Sequence, residues 1–295
     1  MRDSSGVTKS VTHSAGSFGW ANRRFTPAWG EQADPLIAPA PNTPEYPHTL
    51  VDRDLVNDLA RIGADLYAVP SAPKFKKNVL EYTEKYGYLG EPNRNSASAW
   101  AKHALVVYAH LETHNRLKVF MDGPAPVAAL AESLVEDRRA WSELLRVWRT
   151  EEPSVFGLID EERWLGPWEL LWSWVDEAID QRLSPRALRH LIARRCLSDL
   201  MFGGYLARSR PHLNPDGFLY FLMPAAGWSY YRLAVLWDAG EGARGVLRCR
   251  DCHRVFIVKR SDQELCGHGD CKQRAYRGRK RAGLATPRSK APRTG

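Results

Sequence analysis

Four of the chain's five cysteines fall in one short stretch near its C-terminal end, Cys249, Cys252, Cys266 and Cys271. The spacing is C-x2-C, thirteen residues, then C-x4-C. A close pair can turn two thiolates onto one ion, and a second close pair completes a tetrahedral shell. Nothing else in the chain is spaced so specifically. Zinc is the expected ion, and four sulfur ligands leave no open position for water or substrate, so the site is expected to be structural rather than catalytic. Iron takes the same four thiolates. Two disulfides, or four unrelated cysteines, are the alternative to a metal. Cysteine is nearly absent elsewhere, and the N-terminal residues MRDSSGVTKSVTHSAGSFGW hold no apolar segment of a secretory signal. A reducing cytoplasm is therefore expected. His253 and His268 lie within the stretch and could each replace a cysteine as ligand; a place beside the ligands or on the surface is the simpler expectation.

The residues after the last cysteine carry the second signal. Lys272, Arg274, Arg277, Arg279, Lys280 and Arg281 crowd one segment. In a helix, Arg274, Arg277 and Arg281 fall near one face, with Arg279 and Lys280 on its flanks. Ala275 and Tyr276 can turn towards the metal; Tyr276 is read either as a base-stacking residue or as core. Gly278 weakens a helix there by up to about 1 kcal/mol relative to Ala. Charge supports the same focus. From Arg244 onward there are 15 Lys and Arg against 4 Asp and Glu, whereas residues 1–243 hold 27 against 30. The body is slightly acidic, and all the excess positive charge belongs to the cysteine module and its tail. Such localised charge predicts a nucleic-acid surface.

The rest of the chain reads as helix. Residues 1–45 are rich in Pro, Ser, Gly and Asn and predict an exposed, partly disordered arm, part of which packs on the body through Trp20, Phe25 or Trp29. An all-helical domain is expected over 46–243. Leu50, Val51, Leu55, Leu59 and Ile62 recur at helical spacing from Tyr46 onward. KKNVLEYTEKYGYLG ends at Gly87 and Gly90, where a C-cap belongs, and Asn95 or Ser96 can cap a helix through Trp100, His103, Val107 and His110 to about Leu117. A helix over 125–149 has Val127, Leu130, Leu134, Trp141, Leu144 and Trp148 on one face. Another carries Trp164, Trp168, Leu171, Trp172 and Val175. Ser184 and Pro185 start a further helix with Leu188, Leu191, Ile192 and Met201 inward, and GWSYYRLAVLWDAG makes the last before a glycine hinge at Gly240 and Gly242. Almost no strand is expected before residue 244. Val246–Leu247 and Val255–Ile257 predict a small hairpin carrying the first cysteine pair, and residues 282–295 a disordered basic tail. The fold class is an all-α main domain with a small C-terminal four-cysteine module of short hairpin plus basic helix.

No active site is legible in the body. His110 and His114 share a helix face with His103 nearby, but Glu112 is not placed as in H-E-x-x-H. Cys196 reads as a buried small hydrophobe. The carboxylates Asp52, Asp54, Asp176, Glu177 and Asp180 read as helix surface, and no Gly-rich phosphate loop or G-x-S-x-G elbow is present. Trp164, Trp168, Trp172 and Trp174 could line a pocket or a dimer seam. The apolar runs are too short and too charged for a transmembrane span.

The C-terminal module resembles the CGNR zinc-finger domain, found at the C-terminus of bacterial stress-induced transcription regulators with a helical N-terminal region. Cys249 and Cys252 match the first pair, Phe256 the following aromatic, Cys266 and Cys271 the second pair, and Tyr276-Arg277-x-Arg279 the basic run. Lys272-Gln273-Arg274 stands where the family has Gly-Asn-Arg. The resemblance covers residues 244–281; elsewhere only the layout is similar. It implies a zinc-containing regulator that binds double-stranded DNA; the helical body is expected to sense an unidentified effector or form a homodimer, and no enzymatic activity is expected from its residues. Lys272, Arg274, Arg277, Arg279, Lys280 and Arg281 are the expected contacts, with base reading by Arg274 or Arg277. RNA binding, with Tyr276 stacking on a base, and a zinc-stapled protein-interaction role in toxin–antitoxin or phage-defence systems are the alternatives, with an enzyme acting from the body last.

Overall fold

The computed structural model describes residues 12–13, 23–24, 27–30, 37–39, 46–47, 55–68, 71–87, 96–122, 129, 132, 139, 142–143, 146, 150, 173–177, 179–199, 210–213, 219–222, 225–238, 245–260 and 262–281. The main domain is all-α. Helix α1 (Leu55–Ala68) places Leu55, Leu59, Ile62 and Leu66 on one fully buried stripe, as the sequence spacing requires. Its other polar stripe, Asn57, Arg61 and Asp65, recurs at every fourth residue. Helix α2 (Ala72–Tyr86) starts after Ser71 and closes at Gly87, whose φ of 80° suits glycine and whose N–H bonds to the Thr83 carbonyl.

Helix α3 (Ala97–Asp122) is the central one. Ser96 caps it, its Oγ accepting from the Ala99 N–H at 3.2 Å. The helix runs past the expected Leu117 to Asp122. It is buried on several sides, from Ala97 through Trp100, Ala104 and Leu111 to Asn115. Helices α1 and α3 pack more extensively than any other pair among the described residues. Small residues make this approach close: a Cβ on Gly63 would lie 2.2 Å from the Ala104 carbonyl oxygen.

The later helices follow the sequence signals. Residues 173–177 are helical with Trp174 and Val175 buried; Trp164, Trp168, Leu171 and Trp172 lie outside the described residues, as do Cys196's side chain, Asp52, Asp54 and most of 125–149. The described positions within 125–149, from Ala129 to Arg146, are helical. Helix α4 (Pro185–Asp199) begins at Ser184, whose Oγ accepts from the Ala187 N–H at 3.3 Å. It packs on α5 (Ala225–Asp238), which in turn lies on α3 through Leu233 and its neighbours. No described helix is long and apolar enough to cross a membrane.

Short strands correct the expectation of almost none before residue 244. β1 (Thr12–His13) pairs in parallel with β7 (Leu219–Leu222), which pairs antiparallel with β6 (Arg210–Leu213). β2 (Arg23–Arg24) pairs with β5 (Tyr46–Pro47), so Tyr46 is strand and the first described helix starts at Leu55. β3 (Pro27–Trp29) pairs with β4 (Ile37–Pro39). These runs are too short, and too rich in proline, to show a period of two. A readable signal did exist for β6 and β7: Asn214-Pro215-Asp216-Gly217 between them is turn chemistry. Trp29 anchors the arm as expected, its Nε1 donating to the Lys76 carbonyl at 3.2 Å and its ring packed against Phe75.

The C-terminal module comprises β8 (Val246–Arg248), β9 (Val255–Ile257) and α6 (Gly269–Arg281). The hairpin is antiparallel with Val246 opposite Ile257 and Arg248 opposite Val255. Alternation along β9 gives each face its own core. Val255 and Ile257 join the main hydrophobic core, whereas Phe256 packs with Cys249, Val258 and Cys271 in a second, smaller one. The hairpin is thus a wall shared by two cores, and the module is continuous with the body.

The close α1–α3 approach gives a direct prediction. Gly63→Ala should destabilise the chain by about 3 kcal/mol or more, because its methyl meets backbone that no rotamer change can move. Urea denaturation measures it, and an unchanged midpoint would contradict the contact.

Candidate metal centre and its basic helix

The four cysteines predicted from spacing do converge. Their sulfur atoms all lie within 4.8 Å of one another, with Cys252 to Cys266 at 3.9 Å and Cys266 to Cys271 at 3.6 Å. A tetrahedron with metal–sulfur bonds of about 2.3 Å has edges of about 3.8 Å. The cluster therefore fits a single four-coordinate ion, with no histidine needed to complete it.

Local backbone geometry builds the site. The first pair sits in a tight turn after β8. The Cys249 N–H bonds to the Arg254 carbonyl at 2.8 Å and the His253 N–H to the Cys249 carbonyl at 2.9 Å. His253 takes a φ of 58°, the left-handed conformation that reverses the chain after Cys252. Gly267 does the same after Cys266, with φ of 86°. The Cys266 N–H points at the Cys249 sulfur at 3.4 Å. Burial raises the Cys249 thiol, but backbone N–H groups of Cys252, Cys266 and Asp251 outweigh it and bring it down to about 7. Burial pushes Cys266 up to about 11 and Cys271 well above the ordinary thiol range. Cys266 and Cys271 thus resist ionisation without a cation beside them, and a divalent metal would supply that charge.

Helix α6 grows out of this centre. Its N-terminal region bonds Lys272 N–H to the His268 carbonyl at 3.1 Å, and Cys271 is its only buried residue. Lys272 is helical and exposed. Arg274 is committed within the module. Its Nε donates to Asp251 at 2.8 Å, and its second guanidinium nitrogen lies 3.7 Å from the Cys271 sulfur. That hydrogen bond holds the Asp251 carboxyl below its usual range. Arg274 thereby braces the helix against the first cysteine turn. Arg277, Arg279, Lys280 and Arg281 are exposed and have no ion pair among the described residues. Tyr276 is 54% exposed, so it is not core.

A polar seam invisible to motif reading docks the centre on the body. Asn57 treats the edge of β9 as a strand would: its Oδ1 accepts from the Ile257 N–H at 2.8 Å and its Nδ2 donates to the Ile257 carbonyl at 3.2 Å. Arg61 donates to His268 Nε2 at 2.8 Å, which fixes that ring nitrogen as acceptor. Burial first, then the Arg61 charge, lowers the His268 pKa. Buried Asp65 pairs with Arg254 and also receives Asn78 at 3.2 Å. On α3, buried Glu112 receives Arg248 at 2.7 Å and the Tyr108 hydroxyl at 2.9 Å. Burial and the Glu112 charge keep that phenol protonated. The fourfold spacing of Asn57, Arg61 and Asp65 was the only sequence signal for this seam.

The histidines of α3 are not gathered into a group of three or more metal-ligating side chains among the described residues. His103 hydrogen-bonds Tyr230, His114 is buried, and burial pushes His110 down to about 4, leaving it neutral. The cysteines are the sole group of three or more His, Cys, Asp or Glu side chains gathered to hold a metal among the described residues. Asp176 and Asp180 are exposed, and Glu177 pairs with Arg195.

Fold and site together define a helical protein with a C-terminal four-cysteine module, of a general metal-binding kind, docked on its body. No family model, curated protein or solved structure matches the chain.

The seam can be measured by a double-mutant cycle. Arg248→Ala alone should cost about 2 kcal/mol, since it strips the cation from buried Glu112 while Arg248 itself is half exposed. With Glu112→Gln already present, the same change should cost less than about 1 kcal/mol. Additive losses would mean the pair is not coupled.

Proposed function

We propose that the chain is a zinc-stapled regulator of transcription whose helix α6 lies along the phosphate backbone of duplex DNA. The observation that carries this reading is the combination of anchoring and exposure in α6. One end is fixed by Cys271 to the metal cluster, and the other presents Arg277, Arg279, Lys280 and Arg281 to solvent without counter-charges among the described residues. Rigid positive charge suits a polyphosphate partner, because it loses little entropy on contact and releases condensed counterions. The resemblance to CGNR zinc fingers supports the same partner. Arg277 is the better candidate for reading a base edge, because Arg274 is held by Asp251. The all-α body would then sense a signal or form a homodimer in the cytoplasm, and no enzymatic step is assigned to it. Exposed Tyr276 favours a second reading, single-stranded or structured RNA, where a tyrosine face can stack on an unpaired base.

Zinc is the proposed ion, held by Cys249, Cys252, Cys266 and Cys271, and its contribution is structural. Purified protein should contain one zinc per chain by metal analysis, and Cys266→Ser should lose both the metal and nucleic-acid binding. Loss of zinc with binding intact would separate the two and refute the link.

The double variant Arg277→Ala/Arg281→Ala should weaken duplex binding and reduce the slope of log affinity against log salt by roughly 2, about 0.9 for each phosphate no longer neutralised. Titrations across a salt series measure it, with structured RNA as competitor to distinguish the second reading. An unchanged affinity and slope would refute a role for α6 in binding.

A further inference from the structure

A cleft of about 820 Å³ lies between the polar face of α1 and the metal module. It is within the range of small-ligand sites. The lining is predominantly cationic. Arg61 and Lys85 contribute from the body, Arg254, Lys259 and Arg260 from around β9, and Lys272 and Arg279 from α6, against the acids Asp58, Asp262 and Glu264.

Those acids are already occupied. Asp58 accepts from Lys85 and from the Tyr86 hydroxyl, each at 2.7 Å. Asp262 pairs with Arg260 at 3.7 Å and Glu264 with Arg250 at 3.3 Å. Arg254 is neutralised by Asp65. Arg61, Lys272 and Arg279 therefore line the cleft with no carboxylate partner among the described residues. Arg61 is the sharpest case. It is partly buried, its guanidinium donates to a histidine rather than to an acid, and its buried Nε has no hydrogen-bond partner among the described residues. A partly buried guanidinium group without a counter-charge favours an anion nearby, and an anion in the cleft would supply it.

Two further features point the same way. Gly267 and Gly269 at the start of α6 line the cleft, so the positive end of a 13-residue helix opens into it. A Cβ on Gly269 would meet nothing within 4 Å, leaving its backbone accessible to a ligand. Lys272 and Arg279 are seven residues apart, so they share one face of α6 and both line the cleft; Arg279, expected on the flank of the Arg274, Arg277 and Arg281 face, is instead roughly opposite it. The helix thus offers one basic face to the cleft and another to bulk solvent.

We propose that this cleft binds a small free polyphosphate anion, of the size of a nucleoside triphosphate or inorganic tripolyphosphate, between Arg61, Lys272, Arg279 and the start of α6. Occupancy neutralises two cations of α6 and so lowers the affinity of the module for nucleic acid. That last consequence rests on the function proposed above; the ligand site itself does not.

The test is calorimetric titration of the full, metal-loaded chain at physiological ionic strength with tripolyphosphate, with ATP and with adenosine, and metal content checked after each. Both polyphosphates should bind saturably at one site per chain, and adenosine should not. Arg61→Ala should weaken binding about tenfold or more. Because it also removes a bond to His268, exposed Lys272→Ala serves as the second variant and should weaken binding several-fold with an unchanged melting temperature. Lys77→Ala, an exposed lysine outside the cleft, is the control for general charge. No saturable polyphosphate binding, adenosine binding as tightly as ATP, or equal effects of Lys77→Ala and the two cleft variants would overturn the proposal. Failure of a duplex to bind in a separate assay would overturn the nucleic-acid reading alone, since these titrations contain no nucleic acid.

Discussion

Two buried carboxylates organise the molecule. Asp65 on α1 and Glu112 on α3 are turned inward from the two most closely packed helices, where an unpaired charge would be costly. Their cations come from the metal module. Arg254 reaches Asp65 and Arg248 reaches Glu112. Arg248 immediately precedes Cys249, and Arg254 follows Cys252 by two residues. The turn that gathers the first two thiolates is the same turn that aims both arginines. The cysteine cluster and the helix packing therefore share a few residues, and β9 links them further by giving Val255 and Ile257 to one core and Phe256 to the other.

That docking sets the direction of everything beyond it. With β8 and β9 fixed against α1 and α3, the second cysteine pair and α6 can leave the body in only one orientation. Arg274 reinforces it by joining Asp251 of the first turn to the sulfur of Cys271. The module's basic residues divide into two groups. Arg248, Arg250, Arg254, Arg260 and Arg274 each pair with a carboxylate, whereas Lys272, Arg277, Arg279, Lys280 and Arg281 have no carboxylate partner among the described residues. The slightly acidic body is consistent with this division: some of its acids are partners of the first group.

Much of this was legible. Leu55, Leu59 and Ile62 announced a buried helical stripe, Ser96 and Ser184 announced helix starts, Gly87 a helix end, and the valines at 246 and 255 a hairpin. Each of these depends on neighbours a few residues away, so spacing alone carries the information. The short strands were less legible because two or three residues cannot display a period. Tyr46 belongs to β5 rather than to a helix for the same reason: pairing with Arg24 across a distance, not local propensity, decides its state. Tyr276 could be read as core or as exposed from sequence, since helical spacing does not reveal which side has a neighbour.

The sequence by itself determined that four cysteine sulfurs would gather in one cluster able to hold an ion and that a basic helix would follow, because both are set by short separations along the chain. It did not determine where that unit would sit. Asn57 and Ile257 are 200 residues apart, yet their paired hydrogen bonds, with the Arg254–Asp65 and Arg248–Glu112 ion pairs, fix the module on the body. Only that tertiary contact left Arg61 facing a cleft without a counter-charge and turned one face of α6 towards that cleft. Burial creates those distinctions, and burial is a property of the assembled chain.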